Sequence, residues 1–143
     1  MIDEVRILSL WQPWAQLMAD GRKLVETRSW STRYRGWIAI HAAKKFPPEA
    51  RAFASGLDYD ELRFGVILGL VWLNGVTLTE NYRPGVLTHL ELSYGDYTPG
   101  RFAWHTRSGS RRRFLEPMPY KGGQGLRKLP ENVAARLLGR KCA

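Results

Sequence analysis

The sequence predicts an α+β fold, a small mixed β-barrel with helices packed around it. Three observations lead to this prediction. About six segments carry the apolar or alternating patterns of strands, and several are separated by short helical patterns. Strands and helices lack the regular alternation that builds a doubly wound parallel sheet. No Pro/Ser linker and no internal repeat divides the 143 residues, so we expect one domain over residues 1–143.

The N-terminal part of the chain is predicted to contain three strands and two helices. Gly21 and Gly56 lie just past helical patterns, where glycine commonly ends a helix. Trp14, Leu17 and Met18 recur at helical spacing, so the first helix should bury one face. The predicted order is a strand from Val5 to Leu10, a helix in "QPWAQLMADG", strands in "LVETRSW" and "WIAIHAA", and a helix in "PPEARAFASG".

The middle of the chain holds the longest apolar segment, "FGVILGLVWLNGVTLT". It is predicted either as a buried strand pair that turns at Asn74-Gly75, a strong hairpin signal, or as one long bent strand. The remaining predictions are a turn-rich loop with a short element in "NYRPGVLTHLELSYGDYTPG", two strands in "RFAWHTRSGSRRRFLEPMPY", an irregular "KGGQG" and a closing helix in "LPENVAARLLG".

Positive charge is concentrated in two blocks. Residues 21–45 hold seven Lys or Arg against one acidic residue, and residues 101–143 hold eleven against two, whereas residues 46–100 are net acidic. Segregated basic charge predicts attraction to a polyanion, with nucleic acid as the first expectation. A membrane surface is disfavoured because no long amphipathic basic helix accompanies the charge. A basic surface that only keeps the protein soluble is the alternative.

Composition also argues against several other classes of protein. No apolar run reaches the roughly 18 residues of a membrane span, and the N-terminus has no basic leader with a cleavage site. The single cysteine, Cys142, cannot form an internal disulfide, which favours a reducing cytoplasm. His41, His89 and His105 lack metal-ligand spacing, and no dinucleotide fingerprint is present, so neither a metal nor another cofactor is predicted. No pattern specifies an oligomeric state.

Aromatic and basic residues are interleaved between Leu8 and Lys45, with four tryptophans and seven basic residues. Trp14 begins the apolar helix face and is predicted to lie in the core. Trp11 lies at the strand-to-helix junction, where it could either be core or stack a base while the Gln12 amide reads a base edge.

Lys23, Glu26 and Arg28 form the next cluster of candidate residues. Glu26 and Arg28 share a strand face with Leu24 and Trp30, so this face is half apolar. A carboxylate and a guanidinium in such surroundings are predicted to pair in a cleft and to be partly exposed. The arginine fork suits a phosphate or a base edge. A solvated strand edge is the alternative.

Further candidates follow along the chain. The turn of Arg33, Tyr34 and Arg35 is predicted to be either a polar loop or a phosphate clamp with a stacking ring. His41 shares a strand face with apolar neighbours, which is more typical of a hydrogen-bonded core histidine than of a catalyst, and it is also a candidate nucleic-acid contact. The triplet Arg111–Arg113 must alternate between strand faces, so its members cannot all enter one cleft. Other predicted nucleic-acid contacts are Lys44, Lys45, Lys121, Gln124 and Arg127.

These residues resemble the ASCH domain, a branch of the PUA-like superfamily, in its small bacterial or phage type. The matching pieces are "LSLWQPWAQLMADGRKLVETRSWSTRYRGWIAIHAAK", "ILGLV" and "GRFAWHT…LEPMPYKGGQGLRKLP". The first contains the motif G-x-K-x-x-E-x-R at Gly21, Lys23, Glu26 and Arg28. Arg127 departs from the tryptophan that similar bacterial members often carry. The resemblance implies a β-barrel-like fold, a cleft beside the first helix, and a role with RNA or nucleotides.

Two main functions remain open at this level. The first is a module that binds RNA, single-stranded nucleic acid or a nucleotide in a basic and aromatic cleft. The second is a hydrolase using the same cleft, either a ribonuclease or an amidohydrolase on a modified nucleoside such as 4-acetylcytidine, with Lys23 and Glu26 as catalytic candidates. Amidase-like members carry threonine where this chain has Glu26. A neighbouring carboxylate favours the charged lysine, which argues against simple transfer of their mechanism. A protein-interaction domain is a third possibility.

Overall fold

The computed structural model describes residues 2–83 and 85–143, and Pro84 in the predicted turn-rich loop lies outside these ranges. A short 3-10 turn, Thr79–Asn81, follows the longest strand. The strands are β1 Val5–Leu10, β2 Val25–Arg28, β3 Gly36–Ala42, β4 Val66–Leu78, β5 Phe102–Thr106, β6 Arg112–Pro119 and β7 Arg127–Lys128. The helices are α1 Trp14–Ala19, α2 Pro48–Ser55, α3 His89–Ser93 and α4 Glu131–Leu138.

The seven strands form one mixed sheet in the order β2-β5-β4-β3-β1-β7, and β6 pairs with the first part of β4. Strands β1 and β3 are parallel, and the other pairs are antiparallel. Within the described ranges β2 and β7 do not pair with each other, so the sheet is open. The α+β class is therefore confirmed, whereas the closure implied by the predicted barrel is not confirmed.

The long apolar segment is one bent strand rather than a hairpin. β4 spans 13 residues, and its pairing with β5 shifts register between Leu73 and Gly75. The Asn74-Gly75 pair therefore lies at a β-bulge, where the extra residue bends the strand. The first half of β4 pairs with β6 and the second half pairs with β5. β5 and β6 therefore do not form a hairpin with each other. Gly69 allows β6 to approach β4 closely, because a Cβ at this position would lie 2.5 Å from the Arg112 carbonyl oxygen.

Apolar side chains pack on both faces of the sheet. Leu8 and Ile40 belong to the cluster on the α1 face, whereas Ile7 and Ala39 belong to the cluster on the α4 face. The alternation of β1 places Ser9 on the same face as Ile7. None of the helices within residues 2–83 and 85–143 is both long enough and apolar enough to cross a bilayer.

The parallel pairing of β1 with β3 decides where polar side chains meet. Leu10 lies opposite Ala42, and Ser9 lies opposite His41. The C-terminal ends of both strands therefore meet at one edge of the sheet, and the segment after β6 returns to the same edge. This edge carries the candidate functional site.

Candidate functional site

Two neighbouring clefts open at the C-terminal ends of β1 and β3. The first, here named the aromatic cleft, has a volume of about 390 Å³ and is lined by residues that include Trp11, Trp14, Glu26 and Arg28. The second, the glycine-loop cleft, is named after the loop of residues 121–125. It has a volume of about 680 Å³ and is lined by residues that include His41, Lys44, Lys45, Lys121 and Gly122. Ser9 lines both clefts, so they adjoin across the end of β1.

Trp11 provides an accessible aromatic ring between the clefts. It is 38% exposed, and the Lys45 ammonium lies 5.5 Å from its ring centroid. An exposed ring with a cation over it is suited to stack a base beside a phosphate. Trp14 is half-buried and stacks on Phe53 at a centroid distance of 5.1 Å, so it forms part of the cleft wall while also packing against the core.

Glu26 is the centre of a small charge cluster. Its Oε2 accepts a hydrogen bond from Arg28 Nε at 2.9 Å, and its Oε1 lies 3.4 Å from Lys23 Nζ. The side chains of Glu26 and Arg28 are 14% and 23% exposed, which confirms the predicted, partly exposed pair. Arg28 Nη2 also donates to the Ser9 carbonyl at 3.0 Å, so the arginine ties β2 to the end of β1.

Lys23 does not reach either cleft. Its side chain is fully buried, and its ammonium donates to the carbonyl oxygens of Val25 and Tyr94. A buried cation of this kind needs a nearby anion and hydrogen-bond acceptors, which Glu26 and the two carbonyls supply. The expectation that Lys23 contacts nucleic acid or a substrate is therefore corrected, because the ammonium has no access to solvent.

Gln12 is also internal. It is 0% exposed, its Nε2 donates to the Arg63 carbonyl at 2.9 Å, and its Oε1 accepts from the Gln16 N–H at 2.9 Å. Both ends of the amide are occupied in joining α1 to the segment before β4. The expectation that it reads a base edge is corrected for this reason.

The turn of Arg33, Tyr34 and Arg35 lies at the opposite end of β3 from His41. Tyr34 donates its hydroxyl to the Trp37 carbonyl at 2.7 Å, and its ring is covered by a guanidinium. Five residues of β3 separate Arg35 from His41 of the glycine-loop cleft, about 20 Å at the usual rise per residue, and none of the three turn residues lines either cleft. The turn therefore belongs to a different surface and cannot clamp a phosphate bound in either cleft.

His41 lies at the floor of the glycine-loop cleft. It is only 3% exposed, its Nδ1 lies 2.9 Å from Ser9 Oγ, and its Nε2 lies 2.7 Å from the Tyr120 carbonyl oxygen. The prediction of a buried, hydrogen-bonded histidine is confirmed. Burial lowers the pKa of His41, and the Arg127 guanidinium acts in the same direction. The ring is consequently neutral near pH 7.

The other cations divide between the clefts and the remaining surface. Lys44, Lys45 and Lys121 are exposed residues that line the glycine-loop cleft. Arg127 is exposed, and its guanidinium packs against Gly123 of the loop. Gln124 lies exposed on the same loop but does not line either cleft.

The arginine triplet alternates as predicted. Arg112 lies over the Trp37 ring at 4.4 Å, whereas Arg113 pairs with Asp20 at 3.0 Å. Arg111 packs against Gly21 beside α1. Since these contacts occupy surfaces other than the two clefts, the triplet contributes surface charge instead of a ligand pocket.

Several residues of the site were missed by the sequence analysis, chiefly Ser9, Tyr120 and Gly122. A usable signal existed for the first, because "LSL" and "IHA" each place one polar residue near the end of an apolar strand. Two such strands paired in parallel bring those residues together. Tyr120 acts through its backbone carbonyl, which no side-chain pattern can indicate.

Folding stability should depend on pH through His41 and His105. Burial lowers the pKa of both residues below the ordinary value of 6.5, so the unfolded chain binds their protons more readily than the folded chain. We therefore expect the free energy of unfolding to increase with pH up to about 7. The part of this free energy that comes from the two neutral histidines should be lost as the pH falls below 6.5. Urea titrations at several pH values test this.

The two variants His41→Gln and His105→Gln should each flatten that pH dependence. His89→Gln is the matched control, because His89 is exposed at the start of α3. A wild-type unfolding free energy that is constant between about pH 5.5 and 7.5 would contradict the prediction.

A known protein-family model matches most of the chain. The model of the ASCH domain matches residues 8–105, which contain the second half of β1, all of β2 to β4 and most of β5. The matched range includes the aromatic cleft and one wall of the glycine-loop cleft.

Curated relatives share a shorter segment with the chain. "Activating signal cointegrator 1" of Homo sapiens is 54% identical over 44 residues, which is 29% of this chain and 8% of that protein. The protein of the same name from Mus musculus is 50% identical over 44 residues, again 29% of this chain and 8% of that protein. The chain therefore corresponds to a small part of these relatives' length.

Solved structures support the fold. The crystal structure of ASCH from Zymomonas mobilis superposes with a TM-score of 0.58 at 18% identity, covering 94% of this chain and 93% of that chain. The crystal structure of a mutant form of the protein from the same organism gives a TM-score of 0.59 at 18% identity, covering 96% of this chain and 97% of that chain. At this identity the likeness concerns the architecture of the sheet and helices.

Proposed function

Because this chain belongs to the ASCH domain family, we propose that residues 1–143 act as one cytoplasmic module that binds RNA or another single-stranded nucleic acid. The observation that carries the proposal is the exposed position of the Trp11 ring beside a lysine. This ring lies where the two clefts meet, and the Lys45 ammonium lies over it. A flat apolar surface beside a mobile cation matches the two parts of a nucleotide, its base and its phosphate.

The proposed arrangement assigns a role to each cleft. A base stacks on Trp11 in the aromatic cleft, where Arg28 can offer its guanidinium to a base edge or a phosphate. The backbone runs towards the glycine-loop cleft, where Lys44, Lys45 and Lys121 neutralise phosphates. A basic surface intended only for solubility would not require these cations to surround an open cavity.

Single strands suit this geometry better than a duplex. Both clefts have the volume of small-ligand sites, so each accommodates one unstacked nucleotide but not a base pair within a helix. Proteins that recognise single strands commonly take up unpaired bases on aromatic side chains. We therefore expect tighter binding to an unpaired oligonucleotide than to the same sequence in a duplex.

The Trp11→Ala variant should weaken binding to an unstructured RNA oligonucleotide by about 5- to 150-fold, the equivalent of about 1–3 kcal/mol of base stacking. Fluorescence anisotropy of a labelled oligonucleotide measures the effect. Leu115→Ala is the control, because Leu115 is a 65% exposed apolar residue of β6 that lines neither cleft. Equal affinities for wild type and Trp11→Ala would contradict the proposed stacking.

The alternative in which Lys23 and Glu26 hydrolyse RNA or a modified nucleoside has less support. The Lys23 ammonium is enclosed and bound to two backbone carbonyls, so a substrate in the aromatic cleft cannot touch it. Glu26 is paired with two cations, and these contacts occupy both of its carboxylate oxygens. Binding is therefore the function that this cluster supports best.

A further inference from the structure

We propose that Ser9 and His41 form a nucleophile and general-base pair that hydrolyses carboxylic esters whose leaving group carries negative charge. The pair is separate from the Glu26 cluster, and the proposal does not depend on RNA binding. Four features carry it: the hydrogen bond between the two side chains, the tautomer of the histidine, the glycine loop packed against them, and the charged cavity onto which they open.

The surroundings determine the tautomer of His41. The Tyr120 carbonyl oxygen can only accept a hydrogen bond, so His41 Nε2 must carry the proton at their 2.7 Å contact. In the neutral ring Nδ1 is then the acceptor, and Ser9 Oγ must donate to it across 2.9 Å. The serine proton thus already points at a base, and a carbonyl orients that base as the third member of a catalytic triad would.

The glycine loop lies so close to Ser9 and His41 that only glycine fits at position 122. A Cβ at Gly122 would lie 2.5 Å from Ser9 Oγ and would also overlap the His41 ring. The next residue, Gly123, directs its backbone N–H at Ser9 Oγ over 3.4 Å. Here the N–H contacts the nucleophile oxygen; in the proposed reaction it would donate instead to the substrate carbonyl oxygen, on which negative charge develops during acyl transfer.

The pair opens onto a cavity that selects charge. Ser9 and His41 both line the glycine-loop cleft, a space of about 680 Å³. Its rim carries Lys44, Lys45 and Lys121, while the described residues that line it include no carboxylate. A substrate with an anionic leaving group would therefore be drawn into this cleft in preference to a neutral one. A serine–histidine contact serving only to join β1 to β3 would need neither the cavity nor the cations.

The reaction balances with water as the only co-reactant. Ser9 Oγ attacks the carbonyl carbon as its proton passes to His41 Nδ1, and the bond from that carbon to the leaving oxygen breaks. The leaving oxygen takes the proton from His41, which gives a free alcohol and an acyl-Ser9. Water then attacks the acyl group while His41 takes one of its protons, and that proton returns to Ser9 Oγ as the bond to Ser9 breaks. The carboxylic acid product keeps the second proton of the water, and it releases this proton to solvent when it ionises.

The first test is covalent labelling with a fluorophosphonate, followed by intact-mass measurement and peptide mapping. Wild type should gain one adduct at Ser9. Ser9→Ala should gain none, and His41→Gln should react about 10²–10⁴-fold more slowly. Ser31→Ala is the control and should label as wild type does, because Ser31 is an exposed serine outside both clefts. Absence of an adduct on wild type, or an adduct that persists in Ser9→Ala, would overturn the proposal.

The second test measures ester hydrolysis. The probes are the anionic ester 4-acetoxy-3-nitrobenzenesulfonate and the neutral ester 4-nitrophenyl acetate. Wild type should prefer the anionic probe, with a rate that rises with pH and reaches its plateau by about pH 7, because the base works only when neutral. Equal rates with Ser9→Ala, or a faster reaction with the neutral ester, would contradict the assignment.

A third variant keeps the proposal testable if Ser9→Ala fails to fold. Ser9→Cys in a Cys142→Ala background retains a side chain of similar shape, and its thiol next to His41 should be alkylated by iodoacetamide faster than a free cysteine. Alkylation no faster than that of free cysteine would count against the pair. RNA affinity measured on the same samples separates this proposal from the proposed function: wild-type protein that binds RNA but gains no adduct refutes only the Ser9 chemistry.

Discussion

Raising the salt concentration from about 50 mM to about 200 mM should weaken binding to single-stranded RNA by about 100-fold. If about five Lys or Arg side chains engage phosphate, the slope of log K against log salt is about −3 to −4 for a single strand. The cations around the glycine-loop cleft are the expected contributors, because they are exposed and border one cavity. Anisotropy titrations over a series of salt concentrations measure the slope.

Two multiple variants locate the charges responsible. Replacing Lys44, Lys45 and Lys121 together by Gln should reduce the magnitude of the slope by about 2, as expected for three lost phosphate contacts. Replacing Arg33 and Arg35 by Gln is the matched control, since these exposed arginines lie at the other end of β3 and should leave the slope nearly unchanged. An affinity that does not vary with salt would rule out phosphate as the main contact.

Removal of the Glu26 carboxylate should have the largest effect on stability. Glu26→Ala leaves the fully buried Lys23 ammonium without its anion, and it also frees Arg28 in a half-apolar wall. Breaking a buried pair from one side typically costs about 3–5 kcal/mol, and the two carbonyls that still accept from Lys23 place this case near the lower value. Urea denaturation should therefore show a loss of about 3 kcal/mol.

The control and the compensating variant sharpen this experiment. Glu49→Ala removes an exposed carboxylate from α2 and should change the free energy of unfolding by no more than about 0.5 kcal/mol. Adding Lys23→Met to Glu26→Ala removes the stranded cation and should restore part of the loss. If Glu26→Ala unfolds at the same urea concentration as wild type, the Lys23–Glu26 contact contributes nothing to stability.

Local patterns in the sequence were enough to predict most of the secondary structure. The predicted segments contain the helices α1, α2 and α4 and the strands β1 to β6, because the helical spacing of α1 and the apolar runs of the strands depend only on neighbouring residues. The helix α3 lies in the segment predicted only as a turn-rich loop with a short element. The Glu26–Arg28 pair and the alternation of Arg111–Arg113 were predicted for the same reason. Both follow from the two-residue repeat of a strand, which places alternate side chains on one face.

The structures of β4 and Lys23 depend on contacts with residues that are distant in the sequence, so local patterns could not predict them. Asn74-Gly75 is a strong local hairpin signal, yet β5 pairs with the second half of β4 and β6 with the first half, and these pairings keep β4 extended as one strand. Lys23 was predicted to be a nucleic-acid contact and a catalytic candidate because it clusters with Glu26 and Arg28 in the sequence motif. It is enclosed because Glu26 and the Tyr94 carbonyl, 71 residues away, together replace its water.

The amino-acid pattern alone was enough to predict the family, three of the four helices and most of the strands, together with the two basic blocks and the aromatic and cationic residues suited to a nucleotide. Which of these residues meet depends on how the strands pair in the folded chain. Ser9 and His41 are separated by 32 residues, and His41 and Tyr120 by 79. Their contacts arise from the parallel pairing of β1 with β3 and the return of the chain after β6. Such pairings depend on the free energy of packing the whole sheet, to which each short segment contributes only a part.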